Sequence, residues 1–123
     1  MGFGPLKEAM PSEPSSYISA ATANPTSVKT NACVLDDIVI SNVAATVCYL
    51  KLYDTASTPT ASMTPKQRLC IPGATTGAGL AKSWVKGLTF SAGLAFRITT
   101  GAADADTGAV GAGDVLTNLA VRG

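Results

Sequence analysis

The chain has no histidine among its 123 residues, and that absence excludes more chemistry than any other feature. Histidine is the usual general base and the commonest metal ligand near neutral pH. Ser-His-Asp and Cys-His catalysis therefore lack their base. A paired-carboxylate glycosidase needs no histidine, but only eight acidic residues are present and two of them, Glu8 and Glu13, fall in a proline-rich terminus. These scarcities point to a protein that is not an enzyme, with no cofactor, no metal and no small-molecule substrate.

Basic clusters are missing too. Nine Lys and Arg residues are scattered along the chain against eight Asp and Glu, for a net charge of +1. A nucleic-acid binder concentrates its cations into a patch, so no nucleic-acid partner is expected. No run approaches the roughly 18 apolar residues that span a bilayer, and no membrane partner is expected either. The first residues lack the continuous apolar stretch of a cleaved signal, and Leu6 stands where a myristoylation pattern needs serine. Three cysteines without CxxC spacing suggest reduced thiols made in a cytoplasm. Cys33 and Cys70 could pair only if their strands were neighbours. Aromatics are 6% of the chain and alanine supplies much of its 46% apolar content. Large core side chains are thus scarce, and oligomerisation is the natural supplement to a thin margin of stability.

What is present is alternation. The stretch TVCYLKLYD at 46–54 puts Cys48, Leu50 and Leu52 on one face and Val47, Tyr49, Lys51 and Tyr53 on the other. Side chains on a strand alternate between faces, so this is a strand with one wholly apolar side. Two tyrosines flanking a lysine make its other side either a solvent face or a contact with a neighbouring subunit. Tyr49, Tyr53 and Trp84 could also stack sugars, but aromatics are enriched where subunits meet, and packing against a partner is favoured.

Other segments read as strands around this one: 17–21, 28–30, 33–42, 67–71, 80–85, 88–90, 94–100 and 115–122. Asp36-Asp37 interrupts the third of these runs as a bulge, and 42–45 turns the chain into a hairpin with the strand that follows. Residues 73–79 (GATTGAG) lack the spacing of a phosphate loop, since Lys82 does not directly follow the last glycine. Residues 101–114 (GAADADTGAVGAGD) bring Asp104, Asp106 and Asp114 together, which a calcium ion could use, but Asp and Gly are also what tight turns need, and the turn is preferred.

No window has helical periodicity. The expected architecture is all-β, an antiparallel β-sandwich of about eight strands, jelly-roll-like because the loops vary in length as Greek-key crossovers require. Residues 1–16, with Pro5, Pro11 and Pro14, form an extended N-terminal arm ahead of a domain at 17–123. The arm is expected to lie across a neighbouring subunit. Candidate subunit-interface residues are Tyr49, Lys51, Tyr53 and Trp84 in the domain and Pro5, Leu6 and Pro11 in the arm.

Three stretches carry a resemblance. YLKLYDTA at 49–56, GLAFRITTGAAD at 93–104 and AGDV at 112–115 resemble a "YLKLYDKA" strand and loop, an "LAF.ITTGAAD" strand and a "GDV..N" strand of small virion proteins of tailed bacteriophages. The resemblance covers about residues 17 to 122 and departs at Thr55, where that pattern has lysine, and in the proline-rich arm. It implies a virion structural protein made in the host cytoplasm and placed on the capsid exterior. There it would be a decoration or cement protein, forming trimers with itself and clamping neighbouring major capsid proteins. The alternative it allows is a tail, neck or fibre-associated protein that binds a host receptor or glycan.

Overall fold

The computed structural model describes residues 11–123. Among these, the alternating segments become eight strands and no helix: β1 (Glu13–Ile18), β2 (Thr26–Lys29), β3 (Cys33–Asn42), β4 (Cys48–Asp54), β5 (Gln67–Ile71), β6 (Ala78–Phe90), β7 (Leu94–Thr99) and β8 (Val115–Arg122). They form two four-stranded sheets in the orders β1-β8-β3-β6 and β2-β7-β4-β5. Every pairing is antiparallel. The chain is an all-β antiparallel sandwich, as its patterning requires.

The core lies between the sheets. Ile38 and Ile40 of β3 and Leu119 and Val121 of β8 face Leu50 and Leu52 of β4 and Phe96 and Ile98 of β7. All are buried. With so few aromatics, the ring contact that does form, Tyr17 edge-on to Phe96 at 5.2 Å between centroids, ties β1 to the opposite sheet. Cys33 lies on β3 and Cys70 on β5, in different sheets, so they are not strand neighbours.

Three details differ from the sequence expectation. β1 begins at Glu13, inside the stretch assigned to the arm. Pro14 does not prevent this, because β1 is an edge strand, where a missing donor is tolerated. Pro11 is exposed and precedes the strand, while Pro5 and Leu6 lie outside the described residues. The hairpin expected between β3 and β4 does not form: β3 pairs with β6 and β8, and β4 sits in the other sheet. Residues 80–85 and 88–90 belong to one strand, β6, whose register on β3 slips between Ser83 and Leu88. The slip falls opposite Asp36, where β3 carries the expected bulge between Leu35 and Asp37. Gly87, at φ 82°, makes the slip possible: a Cβ there would overlap Val34 Cγ1.

The carboxylates fix the connections. Asp36 takes a two-pronged ion pair from Arg122, with Nε and Nη2 both at 2.7 Å, and also accepts from Ser12 Oγ. The Arg122 guanidinium holds the Asp36 carboxyl below its ordinary value. Asp54 accepts from the amides of Ser91, Ala92 and Gly93 at 3.0, 2.8 and 3.3 Å, closing the β6–β7 turn. Burial alone would push the Asp54 carboxyl up, but those amides and the Ser91 hydroxyl together hold it down.

Candidate functional site

Three in-register cations cross the outer face of the second sheet. Lys51 on β4 is paired in register with Arg68 on β5 on one side and Arg97 on β7 on the other. Like charges set directly opposite on a sheet repel, so this row needs compensation from elsewhere. The loop joining β7 to β8 supplies it by folding back over the sheet. Lys51 Nζ donates to Thr99 Oγ1 at 2.7 Å, to Gly101 O at 3.3 Å and to Ala103 O. Arg97 donates to Asp104 O at 3.3 Å, Asp106 O at 2.6 Å and the Tyr53 hydroxyl at 3.2 Å. Arg68, at the rim, holds the Asp104 carboxylate at 2.6 and 2.7 Å.

The consequence is burial of charge. Lys51 is 0% exposed and Arg97 3%. Desolvation, with Arg97 alongside, pushes the Lys51 ammonium below its ordinary value. Asp104 at the rim is held below the usual carboxylate range by its hydrogen bond from Arg68.

Lys51 and Tyr53 do point away from the core, as alternation demands, but both are buried beneath the chain's own loop. The expected solvent or subunit face at these two positions therefore gives way to an intrachain role. Tyr49, on the same face, is half-buried. Trp84 is half-buried on β6, far along the chain from the tyrosines, and packs against the core with Lys82 Nζ 5.7 Å above its ring. The structure thus does not bring Tyr49, Tyr53 and Trp84 into one platform, since β4 and β6 belong to different sheets.

The aspartates of the β7–β8 loop serve the loop itself. Asp106 Oδ1 accepts from Gly101 N at 3.1 Å and Gly108 N at 2.8 Å, a turn-closing arrangement. Among the described residues no group of three acidic or cysteine side chains converges on one point. Beside the loop's far end lies a pocket of about 130 Å³, lined in part by Asn42, Thr46, Cys48, Thr100 and Asp114. Its buried polar group, Asn42, is already engaged with Thr46 O at 3.0 Å and Ala44 N at 3.0 Å.

The first sheet presents the opposite situation. Positions alternating with its core residues are Ile18, Ser16 and Pro14 on β1, Leu116, Asn118 and Ala120 on β8, Val39 and Ser41 on β3, and Gly79 and Ala81 on β6. Ile18 is 70% exposed, Val39 52% and Leu116 39%. Its charges are engaged within the chain: Asp37 accepts from Ser83 Oγ, and Arg122, which alternates with core Val121, pairs with Asp36 at one end. Sequence reasoning missed this face because each strand contributes only one or two apolar residues to it, and no single segment carries the signal. Arg97 was legible as an outward residue of an apolar strand, but nothing local indicated that a loop would cover it. No family model, curated protein or solved structure matches the chain.

Proposed function

We propose that the chain is a structural protein of a tailed-phage virion, a decoration or cement protein on the capsid exterior that associates with itself and clamps neighbouring major capsid proteins. The observation that carries this reading is how the chain allocates its charges. Asp36, Asp54, Asp104 and Asp106 fix turns and loops, and Lys51, Arg68, Arg97 and Arg122 fix the same segments from the other side. What is left outward on the first sheet is broad, and its charges, Asp37 and the Arg122–Asp36 pair, are engaged within the chain. Such a surface suits recognition by area, in which many weak contacts sum over a repeating lattice. The strand order supports the reading as well. β1 pairs with β8, β2 with β7, β3 with β6 and β4 with β5, which is one long hairpin wound on itself. We read this as a jelly roll, a plan shared by viral capsid domains.

The test is co-sedimentation with purified phage heads stripped of accessory proteins. Saturable binding at hundreds of copies per head supports a decoration role. Binding to host cells or glycans, with none to heads, replaces it with the tail or fibre reading.

A further inference from the structure

We propose that the cavity at one end of the sandwich is a binding site for a small organic cation, a primary ammonium carried on a short apolar group. The inference goes beyond the virion reading and does not depend on it.

The fold builds this cavity where strands of both sheets end. Asn42 closes β3 and Val115 opens β8 in the first sheet, while Cys48 opens β4 and Thr100 follows β7 in the second. The 43–47 link and residues 109–114 of the β7–β8 loop wall it in, leaving about 130 Å³. Its buried lining is mainly apolar, with Cys48, Val110 and Val115 at 2%, 7% and 1% exposed. Asn42, the buried polar group beside them, has both ends of its amide engaged, by Thr46 O and Ala44 N. The deep part of the cavity therefore suits an apolar occupant.

Asp114 decides the charge. It lines the same cavity but is only partly buried, which sets it nearer the mouth than the floor. Among the described residues its carboxylate pairs with no cation and accepts no hydrogen bond. Asp36, Asp54, Asp104 and Asp106, by contrast, are all engaged. Covering an unpaired carboxylate with a neutral group is costly, whereas a cationic donor compensates it. Quaternary cations are held by aromatic faces, and among the described residues no aromatic side chain lines this cavity. The cation that fits is an ammonium with N–H donors, for which the exposed Thr46 and Thr100 hydroxyls on the rim are further acceptors. The ligand enters apolar end first and leaves its ammonium on Asp114.

Size limits the apolar part. An apolar cavity of about 150 Å³ accommodates benzene, so about 130 Å³ holds a ligand of roughly six non-hydrogen atoms. n-Butylammonium is of that size. The same chemistry is offered by a free alkylamine and by a polypeptide N-terminus whose first side chain is apolar, as in leucyl-glycinamide. A ligand this small should bind with a dissociation constant on the order of 1 mM.

Two-dimensional amide NMR of the full chain, titrated with n-butylammonium at neutral pH, tests this. Saturable shifts should be confined to residues 42–48, 100 and 109–115. n-Butanol should bind at least about tenfold more weakly, a difference that one partly screened charge pair supplies, and butyrate should not bind. Asp114→Asn should weaken n-butylammonium by about tenfold or more and leave n-butanol unchanged, its dispersed spectrum showing that it remains folded. Leucyl-glycinamide, titrated in parallel, separates the sources: tighter binding than n-butylammonium supports a chain terminus, and weaker binding a free amine. No saturation by about 100 mM, a hundredfold above the expected constant, overturns the proposal. So do shifts spread over the other carboxylates, n-butanol binding as tightly as the ammonium, or an Asp114→Asn variant that binds as the parent does. Markedly tighter binding on deleting residues 1–10 overturns it as well, by making that segment the natural occupant.

Discussion

Lys51→Met isolates the part played by the buried cation row. Methionine keeps the length of the apolar stem and removes the ammonium. In the native chain that ammonium is wholly buried and donates to Thr99 Oγ1, Gly101 O and Ala103 O, with no carboxylate among its direct partners. Hydrogen bonds from a charged group contribute roughly 1.5–3 kcal/mol each, and burying the ion costs several kcal/mol in return. The two nearly cancel. Global stability of Lys51→Met should therefore stay within about 2 kcal/mol of the parent chain. The loop should behave differently, because its Gly101 and Ala103 carbonyls lose their shared donor and turn to water by lifting off the sheet. Amide exchange over residues 101–108 should speed up by about tenfold or more, tenfold corresponding to about 1.4 kcal/mol of local opening. Strands β3 and β8 should exchange as before.

The pH dependence gives an independent handle on the same substitution. Lys51 titrates below its ordinary 10.5 in the folded chain. The unfolded chain then binds more protons between the lowered value and 10.5, so the Lys51 contribution to stability rises with pH across that window. Cys48 acts in the opposite sense: burial pushes its thiol from 9.0 up to about 11, so the folded chain keeps a proton the unfolded one gives up, and stability falls above about pH 9. Subtracting the urea-unfolding curves of Lys51→Met from those of the parent cancels Cys48 and leaves the rising Lys51 part. The reasoning is refuted if Lys51→Met loses more than about 4 kcal/mol with loop exchange unchanged, since that is the cost of breaking a buried ionic core rather than freeing a loop.

Three further outcomes follow from other parts of the structure. Asp36 and Asp54 are both held below their ordinary 3.8, so their stabilisation is full above that value and is lost as pH falls through the depressed ones. Urea unfolding between pH 5 and pH 2 should show the parent losing stability faster than Asp54→Asn, about one pH interval being enough to separate them. Gly87→Ala should cost about 2–4 kcal/mol in chemical denaturation, because φ is 82° and the new Cβ overlaps Val34, whereas Gly113→Ala, at φ 76° with open space around it, should cost about 1 kcal/mol. Brief alkylation followed by peptide mass spectrometry should label exposed Cys70 at once and buried Cys48 only on unfolding; equal labelling of the two would mean that β4 is not packed as described.

How far the sequence reached depended on how local each determinant was. β3, β5 and β8 start and end where the pattern of their residues places them, since period-two alternation and flanking Gly, Pro or Asn are properties of the segment itself. The bulge at Asp36 was legible for the same reason. Pairing was not. Asn42 to Ala45 reads as a hairpin turn, but β3 carries apolar residues suited to a central position between β6 and β8, and that tertiary demand overrides the short link. The outward side of β4 shows the same limit more sharply. Alternation correctly turned Tyr49, Lys51 and Tyr53 away from the core, but whether an outward face is wet depends on where a loop some fifty residues later comes to rest, as with Lys51 and Ala103.

That loop explains why the chain carries buried cations at all. Residues 101–109 contain no large apolar side chain, so the hydrophobic effect has nothing with which to hold them to the sheet. Ordering such a segment costs roughly 1–2 kcal/mol per residue in backbone freedom. Its carbonyls and the Asp104 carboxylate are the strong groups it offers the sheet, and these need donors. Lysine and arginine are the donors with reach enough to come up from a sheet surface and serve several carbonyls each. Placing Arg68, Lys51 and Arg97 in one register row therefore turns a repulsive arrangement into three anchors along the path of the loop. Threonine or serine in that row would be less costly to bury but too short to hold the loop. The same cations then account for the covering of the second sheet by the chain's own loop.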